Sequence, residues 1–412
     1  MRVLYLSQYF PPEVGATQTR AFEMARHLVS AGHEVTMLTE VPNHPSGIIP
    51  PQYRGKLLER SDFEGIDVVR IWVKASPVKT FRNRMMFYIS YMMGAVLFGL
   101  LGARGRYDVI YATSPPLFVG GAAVILSYLR RTPLIFEVRD LWPESAVAMG
   151  EVTNFRAVAL AGKLEELCYN RARSVVVVTG GIRQRLEERG FGSKLTLIPN
   201  GANTDLFKPD PVGAAAFRAE MGLRSEFLVL YAGIHGLAQG LETVLEAAWE
   251  LSGVPDVHFV FIGEGPKKAE LVALKNKLEL ENVTMLPERS RSEMPACLTA
   301  ADVALVPLRR LDLFRGALPS KMFDAWACAC PVILGIDGEA REVMEEAKAG
   351  VFVEPEDAGQ LAAVIRRLKQ DPEQLQRYGR NGRLFVVAHF SRQCLAARLE
   401  ALLLEIVEGT PG

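Results

Sequence analysis

The stretch YAGIHGLAQG (231–240) decides the reading of the chain. An apolar run from Phe227 to Ala232 leads into it, glycines punctuate it, and a helix-like segment begins near Leu241. Strand, tight glycine turn and helix N-terminus, in that order, form half of a βαβ unit. They also form a common cradle for phosphate, because the first N–H groups of the helix have no partner within it. The turn contains no Lys or Arg, so a phosphate bound there would need its counter-charge from elsewhere in the chain.

The same alternation continues in both directions. Short apolar, β-branched runs predict strands at 3–7, 34–39, 67–73, 108–114, 133–139, 174–179 and 195–200. A second set is predicted at 228–233, 258–263, 282–287, 302–307, 331–336 and 350–355, with helical segments between. Near-continuous hydrophobic runs suit parallel strands covered on both faces, and strand–helix alternation implies parallel sheets of βαβ units. Thirteen strands are too many for one ordinary open sheet, so the predicted fold class is α/β with two Rossmann-like domains. The break falls in IPNGANTDLFKPDP (198–211), where Asn200-Gly201 signals a turn and two prolines follow. This assigns 1–203 to a first domain, 204–390 to a second and 391–412 to a terminal helical segment. Ligands of such domains favour the carboxyl ends of the strands at a switch point. Two such crevices across a cleft would suit an enzyme that brings two different molecules together.

Bulk properties exclude several classes. The 412 residues carry 47 Lys and Arg against 47 Asp and Glu, so no strong field favours nucleic acid. Five cysteines without paired spacing argue against a disulfide framework, and Cys328 and Cys330 have no His or Cys cluster around them for a metal. Reduced thiols in a cytoplasmic protein are the expectation. The opening MRVLYLSQYFPPE reads as a first strand rather than a signal peptide. One segment departs from the soluble pattern: residues 85–103 carry no charge, with Lys79, Arg82 and Arg84 before them and Arg104 and Arg106 after. Its length suffices to span a bilayer, but strands precede and follow it within one domain. A spanning helix is thus less favoured than the other two readings, a buried helix of the fold or a helix lying on an anionic membrane surface.

Candidate chemistry lies at the predicted carboxyl ends of strands. Gly15, between the first strand and a helix, can admit a ligand to the backbone and to the helix N-terminus, though an ordinary βα loop would look the same. No GxGxxG is present, which disfavours a dinucleotide. In FEVRDLWPES (136–145) a strand ends in Arg139 and Asp140, with Glu144 beyond; the alternative is a surface ion pair beside a packed Trp142. In the third segment, 306–333, Ser320 is a predicted helix N-cap, which puts Lys321 in the first turn and Asp324 on the same face. The helix dipole disfavours a cation there unless an anion binds between them. Lys321 is therefore the candidate for the missing phosphate charge and Asp324 for a ribose, against the alternative of a solvated Lys–Asp pair. Arg309, Arg310 and Arg315 are further candidate cations. The turn itself would contribute the backbone at Gly233 and Gly236, with His235 and Gln239 as neutral donors.

These segments carry a resemblance. YFPPEVGATQTR with GHEV, PNHPSG (42–47), TSPPL (113–117), VRDLWPES, IPNGANTDLF, YAGIHGLAQGLE, IGEGP, DVALVPL and PSKMFDAWACACPVI together resemble a retaining, family-four glycosyltransferase of the GT-B fold. The likeness is greatest to the bacterial branch that builds lipid-linked polysaccharides such as colanic acid and O-antigen. It covers nearly the whole chain. It implies a nucleotide-sugar donor, a UDP-sugar for preference, held mainly by the second domain, and a lipid-linked saccharide acceptor held mainly by the first. The base would lie near Glu288 and Arg289, Asp324 would match the second acidic residue of the pair that holds the ribose, and the last helix, from about Cys394, would pack back onto the first domain.

The chain also departs from the family pattern. Ile234 and Gln239 stand where many members have Arg and Lys, Gly316 replaces the first acidic residue, and Ala329 stands where Gly is usual. Arg139 and Asp140 replace a His that often follows the strand ending at Val138. A PSK segment is frequent in this branch, which supports Lys321 as the substitute cation.

The mechanism implied is metal-independent and needs no cofactor. Lys321, a neighbouring Arg and helix N-termini would stabilise the leaving diphosphate, with Arg139 and Asp140 beside the reacting sugar. In the retaining relatives the departing phosphate takes the acceptor proton, so no dedicated base is required. The expected location is the cytoplasm, peripheral on the inner face of the plasma membrane. Rival readings are a nucleotide-sugar epimerase of the same fold and a non-catalytic membrane-associated scaffold.

Overall fold

The computed structural model describes all residues except 14, 45, 79, 104, 145–146, 148–153, 255 and 410–412, and except the side chain of 313. Lys79 and Arg104 of the apolar segment's flanks, and Val14, Pro45 and Ser145 of the quoted motifs, therefore lie outside the described residues. The chain divides into two compact units, Met1–Pro199 with Leu395–Gly412, and Asn200–Cys394.

The first unit contains strands β1 (Arg2–Leu6), β2 (Glu34–Glu40), β3 (Leu58–Phe63), β4 (Ile66–Ile71), β5 (Val109–Ser114), β6 (Leu134–Val138), β7 (Ser174–Val177) and β8 (Leu195–Leu197). They form one sheet in the order β3-β4-β2-β1-β5-β6-β7-β8. All neighbours are parallel except β3 and β4. Its helices are α1 (Ala16–Ser30), α2 (Phe81–Leu101), α3 (Phe118–Arg130), α4 (Phe155–Arg171) and α5 (Gly180–Glu188).

The second unit has β9 (Phe227–Ala232), β10 (Val257–Ile262), β11 (Val283–Leu286), β12 (Val303–Pro307), β13 (Val332–Gly335) and β14 (Gly350–Phe352). They form a parallel sheet in the order β11-β10-β9-β12-β13-β14. Its helices are α6 (Pro211–Glu220), α7 (Leu241–Glu250), α8 (Lys268–Lys277), α9 (Met294–Ala300), α10 (Ser320–Ala327), α11 (Glu339–Ala347), α12 (Ala358–Lys369) and α13 (Pro372–His389). Helix α14 (Arg392–Glu408) follows. Leu395, Ala396, Leu399 and Leu403 of α14 are buried with Tyr5, Met24 and Val35 in a core cluster of the first unit. The α14 Glu400 carboxylate lies 3.0 Å from His27 Nε2 and 2.9 Å from His33 Nε2.

Both sheets are doubly wound. The first unit leaves β1 for β2 on one side and returns to β5 on the other; the second leaves β9 for β10 and returns to β12. The two switch points are thus at β1/β5 and β9/β12, and the carboxyl ends of those strands are where ligands are expected.

Every strand expected from the hydrophobic runs is present. β3 is additional. Its sequence, LERSDF, is mostly exposed because an edge strand with one neighbour needs no apolar face, so a search for apolar runs passes over it. Its signal is Glu64-Gly65, both at positive φ, closing a two-residue hairpin onto β4.

The uncharged segment forms α2, the one described helix long and apolar enough to cross a membrane. It is also part of the first unit's fold: Tyr91 and Ala95 are fully buried, and the Tyr91 hydroxyl donates to the Leu38 carbonyl at 3.0 Å. The buried stripe is narrow, and Met93, Leu97 and Leu101 remain 66%, 51% and 74% exposed.

A fully buried ion pair ties α1 to β6 in the first unit. Arg20 of α1 donates through Nε and Nη2 to Glu137 of β6 at 2.9 and 2.8 Å, with both side chains 1% exposed. Burial alone would raise the Glu137 carboxyl, but the charge and hydrogen bonds of Arg20 outweigh it and bring it down to about 2. Glu137→Gln leaves a buried guanidinium without counter-charge and is expected to lower stability by about 3–5 kcal/mol at pH 7. Because the folded carboxyl titrates below its ordinary value of 4.5, the difference should be complete above that pH and shrink as pH falls towards about 2. Urea unfolding of both proteins across this range tests it; equal stability at pH 7 would show that the pair contributes nothing net.

Candidate functional site

The second unit's switch point is built from two glycine turns. β9 ends at Ala232 and Gly233 follows at φ 145°, with a Cβ there falling 2.8 Å from Lys321 Nζ. Gly263, at φ 149°, lies so close that a Cβ would stand 2.0 Å from the Gly233 carbonyl oxygen. Only glycine allows both the dihedrals and the approach. Backbone hydrogen bonds join the turns: Gly233 N donates to Ile262 O (2.9 Å), His235 N to Glu264 O (2.8 Å) and Lys267 N to His235 O (2.9 Å).

Lys321 comes to this turn from α10, 90 residues away in sequence. Its Nζ donates to the Tyr231 hydroxyl at 3.1 Å and sits 4.5 Å from the centre of that ring. The Tyr231 hydroxyl in turn donates to the Ile234 carbonyl at 2.7 Å, which couples the lysine to the shape of the turn. Burial lowers the ammonium from the ordinary 10.5 to about 8, and no carboxylate offsets it. Ser320, expected as the N-cap of α10, is instead its first helical residue. Pro319, at φ −66°, occupies the cap position, and no side chain caps the first turn. A proline ring presets that entry, and the N–H groups next to Lys321 are left without a capping side chain.

The other candidates of this unit are placed as follows. His235 is fully buried beneath the turn, with neither ring nitrogen partnered. Burial and the nearby Lys268 push it below its ordinary value, so the ring is neutral at pH 7. Gly236 precedes the short 3₁₀ turn Leu237–Gln239, and the Gln239 Oε1 is buried without a partner. Gly240 caps α7 in a left-handed conformation, and no side chain caps that helix either. Arg309, Arg310 and Arg315 are drawn to carboxylates of their own: Glu242 at 3.6 Å, Glu354 at 3.1 Å and Asp337 at 3.5 Å. Asp324 is partly buried on α10, one turn from Lys321. Glu288 is exposed just beyond β11, whereas Arg289 is tied to Glu220 and lies over the Phe217 ring at 5.0 Å. A surface cavity of about 600 Å³ lies at the free edge of the sheet, lined by Lys348, Phe352, Arg367 and Tyr378, and shares no residue with the Lys321 group.

In the first unit Gly15 immediately precedes α1, whose first turn has no side-chain cap and no acidic residue. Arg139 and Asp140 follow β6 at its carboxyl end, both partly buried. Burial lowers the Arg139 guanidinium, partly offset by Glu137, and its buried Nε and Nη1 have no hydrogen-bond partner. Glu144 lies 3.8 Å from Arg185.

Two clusters escaped the sequence reading. One is Arg20–Glu137 with Tyr111 and Thr113; its only signal was a carboxylate inside the apolar run PLIFEV. The other is Glu13, beyond β1, with Glu40, the last residue of β2. Glu40 is buried and accepts from Gln8 Nε2 and Asn43 Nδ2, at 2.8 and 2.7 Å. Burial first, then the charge of Glu13, raises it well above the carboxylate range.

Among the described residues no group of three or more His, Cys, Asp or Glu is placed to hold a metal ion. Residues 15–201 match the family model described as a glycosyl transferase 4-like domain, and residues 216–385 match that of the group 1 glycosyl transferases. The chain belongs to the family-four glycosyltransferases. WcaI of Escherichia coli (strain K12), named as a colanic acid biosynthesis glycosyl transferase, is 24% identical over 379 residues, covering 89% of this transferase and 92% of WcaI. Among solved structures, sucrose-phosphate synthase of Thermosynechococcus elongatus shares the fold with a TM-score of 0.77 at 22% identity, over 99% of this chain and 100% of that one. Anabaena HepE, solved in complex with UDP-glucose, matches with a TM-score of 0.73 at 17% identity, over 98% and 100%. The α/β architecture with two mainly parallel sheets is thus that of the GT-B glycosyltransferases.

The isolation of Lys321 has a thermodynamic consequence. The unfolded chain binds this proton more tightly than the folded one, so folding at neutral pH works against a buried charge. Lys321→Met is expected to raise the melting temperature at pH 7 by about 2–4 °C, on the scale of ~1 kcal/mol in a unit of this size. The wild type should close the gap as pH rises from about 8 towards 10.5. Thermal unfolding of both proteins over that range checks it; a lower melting temperature for the variant at pH 7 would refute the charge argument.

Proposed function

We propose that this transferase moves a sugar, with retention and without a metal, from a nucleotide-sugar donor, for preference a UDP-sugar, to a lipid-linked saccharide acceptor of cell-surface polysaccharide synthesis. The observation that carries the donor site is Lys321: a partly buried, desolvated ammonium with no carboxylate paired to it among the described residues, over a glycine turn at the β9/β12 switch point, beside an uncapped helix N-terminus. That arrangement suits a diphosphate. Asp324, one turn along α10, would accept from ribose hydroxyls, and the backbone around Glu288 would meet the base. In transfer the bond from the anomeric carbon to the β-phosphate oxygen breaks as the bond to the acceptor oxygen forms. Lys321 and the helix N–H groups take up the charge growing on the diphosphate, and the departing phosphate receives the acceptor's proton. The WcaI likeness supports the polysaccharide context and the HepE complex supports a UDP donor.

Calorimetric titration with UDP, GDP and ADP, with and without Mg²⁺, tests this reading. One nucleotide should bind without metal, and Lys321→Ala should weaken it by about 2 kcal/mol or more, roughly 30-fold. The affinity should also fall as pH rises above about 8, because the free protein then loses the Lys321 proton that the diphosphate requires. If none of the three binds, the donor site is misassigned.

The lipid-linked acceptor reading has its own support in the first unit. Helix α2 exposes Met93, Leu97 and Leu101, the adjoining α3 exposes Ile125, Tyr128 and Leu129, and Arg82 and Arg106 are exposed at the ends of the segment. An apolar face with basic ends fits an anionic lipid surface, with α2 lying on it rather than crossing it. The protein should sediment with phosphatidylglycerol vesicles and not with phosphatidylcholine alone. The double substitution Met93→Asp, Leu97→Asp should abolish this while leaving nucleotide binding unchanged; equal sedimentation of both proteins would exclude the face.

A further inference from the structure

The carboxyl end of β6 carries Arg139 and Asp140 beside the buried Arg20–Glu137 pair. Glu137 Oε2 accepts from Arg20 Nε and Nη2 at 2.9 and 2.8 Å and from the Tyr111 hydroxyl at 2.6 Å, while Oε1 accepts from the Thr113 hydroxyl at 2.6 Å. Arg20 is equally complete: its remaining contacts go to the carbonyls of Pro199 and Ile198 at 2.8 and 2.9 Å. The pair is electrically neutral, and Tyr111, Thr113 and the two carbonyls complete its hydrogen bonding without Arg139.

Arg139 stands outside that closed set. It is two residues from Glu137, on the same side of the chain as it leaves the strand, yet the carboxylate is already committed. Its Nε and Nη1 are buried and have no hydrogen-bond partner among the described residues. Glu137 offsets its charge only in part, donors held out of water without acceptors are costly, and the hydrogen bonds of the Arg20–Glu137 pair do not use it. Such a cation is explained if a ligand brings the anion, since guanidinium matches carboxylate and phosphate in both charge and donor geometry. The position agrees: β6 adjoins β5, which with β1 forms the first unit's switch point.

We propose that Arg139 recognises an oxyanion, a carboxylate or a phosphate, on the molecule bound by the first unit. Resting on the transferase reading, this makes the acceptor an acidic one, carrying either a uronic acid or the phosphate of its lipid link. Arg139 is then a specificity-determining residue, and a neutral saccharide lacks the group it selects.

The test titrates D-glucuronate, D-glucose and geranyl diphosphate into the full-length protein, Arg139→Met, Arg139→Lys and Lys321→Ala, with UDP run alongside. Arg139→Met should fold and melt no lower than wild type, because the pair it leaves is neutral; Arg139→Lys covers the case in which it does not. One of the two anions should bind wild type about tenfold or more tighter than glucose. Arg139→Met should lose that preference, Arg139→Lys keep part of it and Lys321→Ala keep all of it. Preference for glucuronate assigns the oxyanion to a sugar carboxylate, and preference for geranyl diphosphate to the lipid link. The proposal is overturned if neither anion binds better than glucose, if Arg139→Met binds as wild type does, or if the anion is displaced by UDP and lost in Lys321→Ala. UDP separates the two readings. Its failure to bind wild type sinks the donor site whatever glucuronate does. UDP binding that persists in Arg139→Met, with no anion preference, sinks the Arg139 assignment alone.

Discussion

Lys321 brings a positive charge to the carboxyl end of the second sheet with no carboxylate to balance it. The surrounding structure serves to keep it there. Tyr231 accepts its hydrogen bond and places a ring beneath it, the Gly233–Gly263 contact leaves room above the turn, and α10 enters through a proline so that its first N–H groups stay uncapped. The desolvated ammonium leaves the protein less settled than an apolar residue would. Stability given up at a site and recovered on binding is a common signature of function.

The first unit follows the same logic with a different outcome. It too is doubly wound, and it too has charge at the strand ends beside its switch point. There, most of the charge is used structurally. Arg20 reaches from α1 to Glu137 and to the carbonyls of Ile198 and Pro199, so one guanidinium ties a helix, a strand and the segment after β8 together. What remains is Arg139, which this network does not use. Distinguishing the two arginines takes a partner count: residue type alone does not separate them.

The departures from the family pattern read differently once the turn is visible. Ile234 and Gln239 replace a usual Arg and Lys, which alone suggested a lost site. The structure brings the Lys321 ammonium to the turn from α10, while Arg309, Arg310 and Arg315 are each drawn to a carboxylate. Glu13 and Glu40 add a second acidic cluster that composition does not reveal, because Glu40 only becomes unusual when burial and its neighbour raise its pKa.

The sequence by itself determined the alternation of buried strands and helices, and with it the parallel sheets and the strand ends where ligands bind. Those follow from local hydrophobic periodicity, which survives in one dimension. It also singled out Lys321, because a cation in the first turn of a helix conflicts with the dipole. It missed β3, where an edge strand leaves no apolar pattern, and it misplaced the cap at Ser320, where neighbouring backbone dihedrals decide between two adjacent residues. Tertiary structure alone decided which charges are balanced. Arg20 meets Glu137 across 117 positions and Lys321 meets Tyr231 across 90, and neither separation leaves a trace in spacing. Burial and partner count are properties of the packed chain, and at both switch points they separate a cation paired to a carboxylate from one that is not.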